Sequence, residues 1–271
     1  MKRTVRFPAI FICFLLMAVF VFPVRAFAAG SAIDTSTSSD GYFTVAYLSE
    51  EKAKMKVGVT QGTDTVYYDY VPGDASAYTF TDGDGAYTIT LYRNVSGIKY
   101  KKVECVDVNV AMTDPMAPYL VSTEEITFSG DDAVSRKAAE LCAGLTADED
   151  KAVAIHNYIA ANFTYDRVFG DQVKTGEVKN YTPDTNAVLA ARKGICYDFS
   201  ALYAAMCRSQ GIPCAIARGY LNGGYHAWNM VYIDGAWNAV DMTREIANAN
   251  TDAATIGDCV IALEQYIDMR Y

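Results

Sequence analysis

The chain has 271 residues, 51% hydrophobic and 20% charged, the balance of a soluble globular protein with room for one large domain or two ordinary ones. Its 23 basic and 32 acidic residues leave a net charge of −9, which argues against nucleic acid or anionic lipid as a partner. Two histidines and no C-x-x-C pair are present, so no cofactor and no metal site is expected.

The first elements form an export signal. Lys2, Arg3 and Arg6 make a basic start, Phe7 to Val24 carries no charge, and Ala26-Phe27-Ala28 offers small residues to a signal peptidase. A cleaved signal over 1–28 and a secreted protein are expected. An uncleaved anchor is the alternative, since a run of about 18 apolar residues can span a bilayer. After cleavage 19 basic residues face 32 acidic ones, a charge ordinary for an extracellular protein, and no stable membrane insertion is expected. Cys13 leaves with the signal and six cysteines remain, in a compartment that permits disulfides.

Residues 31–40, rich in Ser, Thr, Asp and Ala, read as a flexible leader, and from Gly41 to Met112 the sequence alternates with period two, within a domain expected over 34–115. Met55, Val57 and Val59 lie on one face of a run, and Tyr87, Ile89 and Leu91 on one face of another. Asp82-Gly83-Asp84-Gly85 reads as a hairpin turn between such runs. It lacks the EF-hand loop pattern. The Val106, Val108, Val110 run is out of phase with Val103 and Cys105, which predicts a bulge or a strand end near Cys105. Five or six short strands imply a small all-β sandwich.

Residues 113–130, with Pro115 and Pro118, read as a linker. The period then changes, and a second domain is expected over 130–271. Helices are predicted at 131–144 and 148–162, then a long surface loop over 166–184. Helices at about 185–192 and 196–210 follow, then strands near 213–220, 225–233 and 236–241. The fold class is α+β.

Three residues carry chemistry. Cys196 follows Gly194, read as the end of one helix, and opens the next. At a helix N-terminus a thiolate, the nucleophilic form, is favoured over the thiol. His226 heads a strand after a glycine turn, where a neutral imidazole can take a thiol proton and later protonate a leaving amine. Asp241 ends the next strand. Pairing across the Asp234-Gly235 turn brings it beside His226, where a carboxylate orients the imidazole. Each residue alone also fits a bland role: a core cysteine, a turn histidine, a strand-ending aspartate. The order of all three favours a catalytic set of Cys196, His226 and Asp241. His156 sits mid-helix and is given no role. Cys207 reads as core.

The stretches GICYDFSALYAAMCRSQGIPCAIARGY and YHAWNMVYIDGAWNAVDMT, with AVAIHNYIAANFTYD upstream, closely resemble the transglutaminase-like superfamily core. The resemblance covers about residues 148–243. It implies a papain-like core with the nucleophile on a helix packed against an antiparallel sheet, and a Cys-His-Asp triad. It marks Tyr165 as a second oxyanion donor beside the backbone N–H of Cys196. Met242 departs from the family's D-P-T triplet, and the tail after Thr243 does not align. Trp228 and Trp237 are expected to pack around the triad. The implied activity is acyl transfer on a peptide or protein substrate, with cell-wall or surface-associated material included. Hydrolysis by a peptidase or amidase is the first reading. A cross-linking transglutaminase and a binding module with a vestigial triad are the alternatives.

Overall fold

The computed structural model describes residues 30–49, 53–73, 75–179 and 181–262, together with the backbone of one further strand at 266–270. The expected signal, residues 1–28, lies outside the described residues, and Cys13 with it.

The N-terminal region is strand-rich. One sheet holds β1 (Ile33–Asp34), β2 (Tyr42–Val45) and β5 (Ser76–Thr79), in that order. The other runs β4 (Asp64–Tyr70), β3 (Met55–Gln61), β6 (Gly85–Ser96) and β7 (Lys99–Val110). All pairings are antiparallel. Alternation puts Phe43, Val45 and Tyr78 of the first sheet against Met55, Val57, Ile89 and Leu91 of the second in one buried cluster. Two half-apolar sheets thereby bury each other's inner faces, which makes a sandwich.

Two local readings change and one is borne out. Residues 31–40, expected as a flexible leader, are ordered: β1 pairs with β2 and Ser38–Asp40 forms a 3-10 turn. Asp82–Gly85 is not a hairpin turn: β5 pairs with β2 while β6 pairs with β3 and β7, so the segment crosses from one sheet to the other. The turn residues are real, but the apolar runs on either side of them belong to different sheets. The phase break near Cys105 is a slip in register. Leu91 faces Glu104 and Tyr92 faces Lys102, which leaves Val103 as the extra residue.

The second region is built around α5 (Cys196–Ser209), buried continuously from Asp198 to Arg208. A helix apolar on every side belongs in a core. Helices α1 (Ala133–Leu141), α2 (Asp148–Asn162) and α4 (Thr185–Ala191) pack on it. On its other side lies an antiparallel sheet. This holds, in order, β12 (Ala236–Val240), β11 (Gly224–Ile233), β10 (Cys214–Leu221) and the late strand Tyr266–Arg270. Ile216, Ala227 and Val231 face α5. Ala215, Ala217, Trp228 and Met230 face away, against Tyr119. Asn229 is buried between the layers and donates from Nδ2 to the carbonyls of Ser200 (2.9 Å) and Ala215 (3.2 Å), tying β11 to α5 and to β10.

The segment read as a linker is packed. A 3-10 turn at Ala117–Tyr119 buries Pro118 and Tyr119. Beyond it, Glu124 accepts from Tyr78 Oη of β5 at 2.8 Å, and Glu125 pairs with Arg218 of β10 at 2.6 Å. The segment therefore bridges the sandwich and the second sheet. The surface loop expected over 166–184 also changes. It contains a short helix, α3 (Arg167–Lys174), whose N-terminus is capped by Asp166, accepting from Phe169 N–H at 3.1 Å. Gly170 and the lack of any fully buried side chain hid its helical period. The remaining strands, β8 (Thr164–Tyr165) and β9 (Lys193–Gly194), form a short parallel pair beside it.

Among the described residues the six cysteines are free thiols. Cys105 is exposed, Cys196 is half-buried, and Cys142, Cys207, Cys214 and Cys259 are buried.

The sandwich core yields a first test. Phe43 is fully buried, its ring 5.6 Å from that of Tyr78 and 5.2 Å from that of Phe80. Phe43→Ala should cost about 3–5 kcal/mol in urea unfolding, and Phe43→Leu much less, because leucine refills most of the cavity. Equal losses for the two would place the ring outside the core.

Candidate active site

Cys196 is the first residue of α5. The helix begins there for a local reason. Asp198, three residues after the N-cap Ile195, folds back and accepts the Ile195 N–H at 2.8 Å, the acidic half of a capping box. Asp198 also accepts from Tyr181 Oη at 2.5 Å. Burial pushes its carboxyl pKa up, against the pull of those two donors. The fold-back explains Gly194. A Cβ there would stand 2.7 Å from Asp198 Cβ, so the position admits no side chain. Gly194 is therefore a close-approach glycine and does not end a helix. That role falls to Arg192, left-handed at φ 51° after α4.

Tyr197 is anchored from the other side. The Arg218 guanidinium lies over its ring at 5.1 Å and donates to its hydroxyl at 3.3 Å, while Glu125 holds the same guanidinium. The two residues after Cys196 are thus tied to separate elements, which fixes the helix start.

His226 and Asp241 meet as β-geometry requires. Asp234 (φ 50°) and Gly235 (φ 82°) form the two-residue loop between β11 and β12, both left-handed as a type I′ turn demands. Asn229 pairs with Val240. Asp241, one residue on, falls across from Trp228 and diagonal to His226, within side-chain reach. His226 Nε2 donates to Asp241 Oδ2 at 2.8 Å. The other carboxylate oxygen caps α6 (Met242–Asn248), accepting from Thr243 N–H at 3.0 Å and Arg244 N–H at 3.3 Å. Asp241 is buried, and both of its oxygens are used.

The imidazole stands between this carboxylate and the Cys196 thiol. Burial works against its charged form, but hydrogen bonds to Asp241 and Cys196, with the charges of both, more than offset that and push its pKa up to about 9. With Nε2 committed to Asp241, Nδ1 is the nitrogen left for sulfur. The pair can therefore hold a proton on the imidazole at neutral pH while the sulfur acts as nucleophile.

Around these groups the expectations divide. Trp228 lies beside His226, its ring 6.2 Å away and nearly parallel. Trp237 does not pack on the site. It sits against Tyr119 (4.8 Å) and Tyr232 (5.2 Å), farther along the sheet from His226. Tyr165 is half-exposed in β8, close enough to Cys196 for its phenol to feel the sulfur's charge. Burial first, then that charge, raises its pKa. Cys207 is in the core.

His156 is buried on α2, and its Nε2 meets Glu245 Oε2 at 3.1 Å. Glu245 lies one turn into α6, so this pair clamps the helix that Asp241 caps. Sequence reasoning missed the clamp because its partners are 89 residues apart. Asp198 could have been found, as an acidic residue three positions after a helix start.

The histidine pair gives a direct test, because the chain has only two histidines and their Cε1–H resonances can be assigned by substitution. One resonance should titrate with a midpoint near 9 and vanish in His226→Gln. Asp241→Asn and Cys196→Ala each remove a group that raises the pKa, so each should move the midpoint down. His226 is raised above the ordinary 6.5, so its pairing stabilises the fold fully below pH 6.5 and loses that effect as pH rises through 9. The stability gap between wild type and Asp241→Asn should narrow over the same window, the helix-capping part of the loss remaining.

Residues 135–242 match the family model described as Transglutaminase-like superfamily. The Kyphoscoliosis peptidases of Mus musculus and Homo sapiens are each 37% identical over 68 residues, covering 21% of this chain and 10% of the relative. The chain thus spans about a tenth of the length of the curated relatives it matches. Among solved structures, a TGase is 27% identical over 41% of this chain and 30% of its own, with a TM-score of 0.35. Red sea bream transglutaminase is 11% identical over 82% and 50%, with a TM-score of 0.38. Scores this low stand as observations only. The family match falls on the segment that carries Cys196, His226 and Asp241, and residues 135–242 are a transglutaminase-like superfamily domain.

Proposed function

We propose that the protein is a secreted cysteine-nucleophile acyl-transfer enzyme that hydrolyses peptide or carboxamide bonds, with Cys196, His226 and Asp241 as its triad. One observation carries the reading: His226 is held by Asp241 on one nitrogen and engages the Cys196 thiol as its other partner.

The chemistry follows from that arrangement. The Cys196 proton passes to His226, and sulfur attacks the substrate carbonyl carbon. The S–C bond forms as the carbonyl π electrons move to oxygen, where the Cys196 backbone N–H, which has no acceptor within the helix, can donate to the oxyanion. The intermediate collapses, the C–N bond breaks, and His226 protonates the departing amine or ammonia. Neutral His226 then takes a proton from water, whose oxygen attacks the thioester carbon. The acid leaves, and the proton returns to sulfur. Asp241 stays ionised throughout and orients the ring.

Hydrolysis is favoured over transfer to an amine because Cys196 is half-buried beside half-exposed Tyr165. Trp228, although beside His226, is fully buried in the sheet's own cluster, and Trp237 packs on Tyr119. Neither is available to wall a tunnel that would keep water, at about 55 M, from the acyl-enzyme. The peptidase name carried by the curated relatives is consistent with this reading.

Cys196→Ala should abolish fast alkylation by an iodoacetamide probe at neutral pH while stability changes by no more than about 1–2 kcal/mol. Undiminished labelling would assign the nucleophile to another cysteine. Offered a glutamine peptide and a fluorescent primary amine together, the enzyme should release ammonia or cleave the peptide without incorporating the amine. Stoichiometric incorporation would make it a transglutaminase, and no turnover across a broad peptide library would favour a binding module.

The basic start, apolar run and Ala26-Phe27-Ala28 site support export. N-terminal sequencing of protein from the culture medium should begin within a few residues of Ala29. A full-length chain in the membrane fraction would reverse the assignment.

A further inference from the structure

The longest strands of the sandwich reach past their neighbours. β6 and β7 have twelve residues each, whereas β3, which pairs with β6, has seven and stops with Met55 opposite Arg93. Beyond that point the two strands continue as a ribbon. Ser96 pairs with Lys99, leaving Gly97-Ile98 as a two-residue loop, and Gly97 takes φ 53°, as the first loop position of a type II′ turn requires. Asn94 Nδ2 donates to the carbonyls of Gly97 (2.8 Å) and Lys99 (3.3 Å), so the apex is held in shape.

Its composition is unlike the rest of the chain. Residues 93–103 carry Arg93, Lys99, Lys101 and Lys102 and no acidic residue, in a protein of net charge −9. The three lysines are exposed, and so is Lys54 beside the base of the ribbon. Between these charges stands Ile98, 96% exposed at the apex, with Val95 at 54% where the register slips. Lysines and bulges on an edge strand ordinarily guard against strand-to-strand association. That role explains Lys99, Lys101 and Lys102. It does not explain a branched aliphatic side chain held out at the tip.

We propose that this hairpin docks the protein reversibly on an anionic phospholipid surface, with Ile98 and Val95 entering the headgroup–acyl boundary and the lysines facing lipid phosphates. Basic residues flanking an apolar tip match the two forces a negatively charged bilayer offers, and a branched aliphatic apex suits acyl chains rather than a sugar polymer. The acidic net charge argues against anionic lipid only as an average over the chain. Beyond about 10 Å at 0.1 M salt that average is screened, and the hairpin's own charge decides the contact. A two-residue tip is too small for permanent insertion. Among the described residues no helix is long and apolar enough to cross a membrane. The inference is independent of the cysteine chemistry.

Co-sedimentation of the exported form, beginning at Ala29, with vesicles tests it, all variants sharing that N-terminus. At 0.1 M salt, wild type should bind vesicles of 70% phosphatidylcholine and 30% phosphatidylglycerol in preference to pure phosphatidylcholine. Replacing Lys99, Lys101 and Lys102 together by Gln should weaken binding by about 10²-fold, at the usual gain per basic residue near such a surface. Ile98→Asp should weaken it by about tenfold or more. A control triple, Arg167→Gln, Lys174→Gln and Lys179→Gln, should leave it within about twofold. Ile98→Trp adds a depth readout: its emission should shift blue with anionic vesicles and not with soluble polyglutamate. No preference for anionic vesicles, or equal losses for the control triple, would overturn the proposal. So would binding that survives Ile98→Asp and is competed away by polyglutamate, which would make the hairpin a polyanion site.

Discussion

The Asp241 carboxylate is the constraint on which the site depends. One oxygen caps α6 and the other orients His226, so the residue that tunes the imidazole also ends β12 and starts the next helix. A carboxylate with both oxygens committed has little freedom to rotate, and the imidazole inherits that rigidity. An exposed aspartate at a strand end would lose part of this effect to solvent and salt. Burial therefore matters twice. It strengthens the bond to His226, and it makes an unpaired Asp241 costly, which holds the pair together.

The same economy appears at the nucleophile. Asp198 caps the turn that begins with Cys196, and Gly194 gives it room. Tyr197 is gripped by Arg218, whose partner Glu125 comes from the segment joining the two regions. The sandwich meets this segment through Tyr78 and Glu124. A path of packed and hydrogen-bonded groups thus runs from the N-terminal sheets to the residue beside the sulfur. The N-terminal region is in this sense part of the support of the site, and its free ribbon points to a second role at a surface.

Charge illustrates how an average can mislead. The chain is acidic as a whole, yet residues 93–103 hold four basic residues and no acidic one, all in one hairpin. Interactions at a surface are decided within about a Debye length, so local arrangement outweighs the total. The apolar apex carries the same lesson. Ile98 is one of many aliphatic residues in the sequence, and only its place at the tip of a ribbon without a third strand gives it meaning.

The sequence by itself determined what depends on near neighbours. Period-two alternation exposed the strands of the sandwich, the Asp234-Gly235 dipeptide fixed the hairpin and hence the approach of Asp241 to His226, and the break before Cys196 located the start of α5. These are local signals, written in side-chain size, turn chemistry and helix termini. Tertiary structure decided what depends on partners distant in the chain. It turned the expected hairpin at Asp82–Gly85 into a crossing between sheets, because β5 found β2 and β6 found β3. It packed the supposed linker against both regions, moved Trp237 away from the site, and paired His156 with Glu245 across 89 positions. Strand pairing and buried ion pairs are chosen by complementarity between surfaces, and a single sequence does not display surfaces until it has folded.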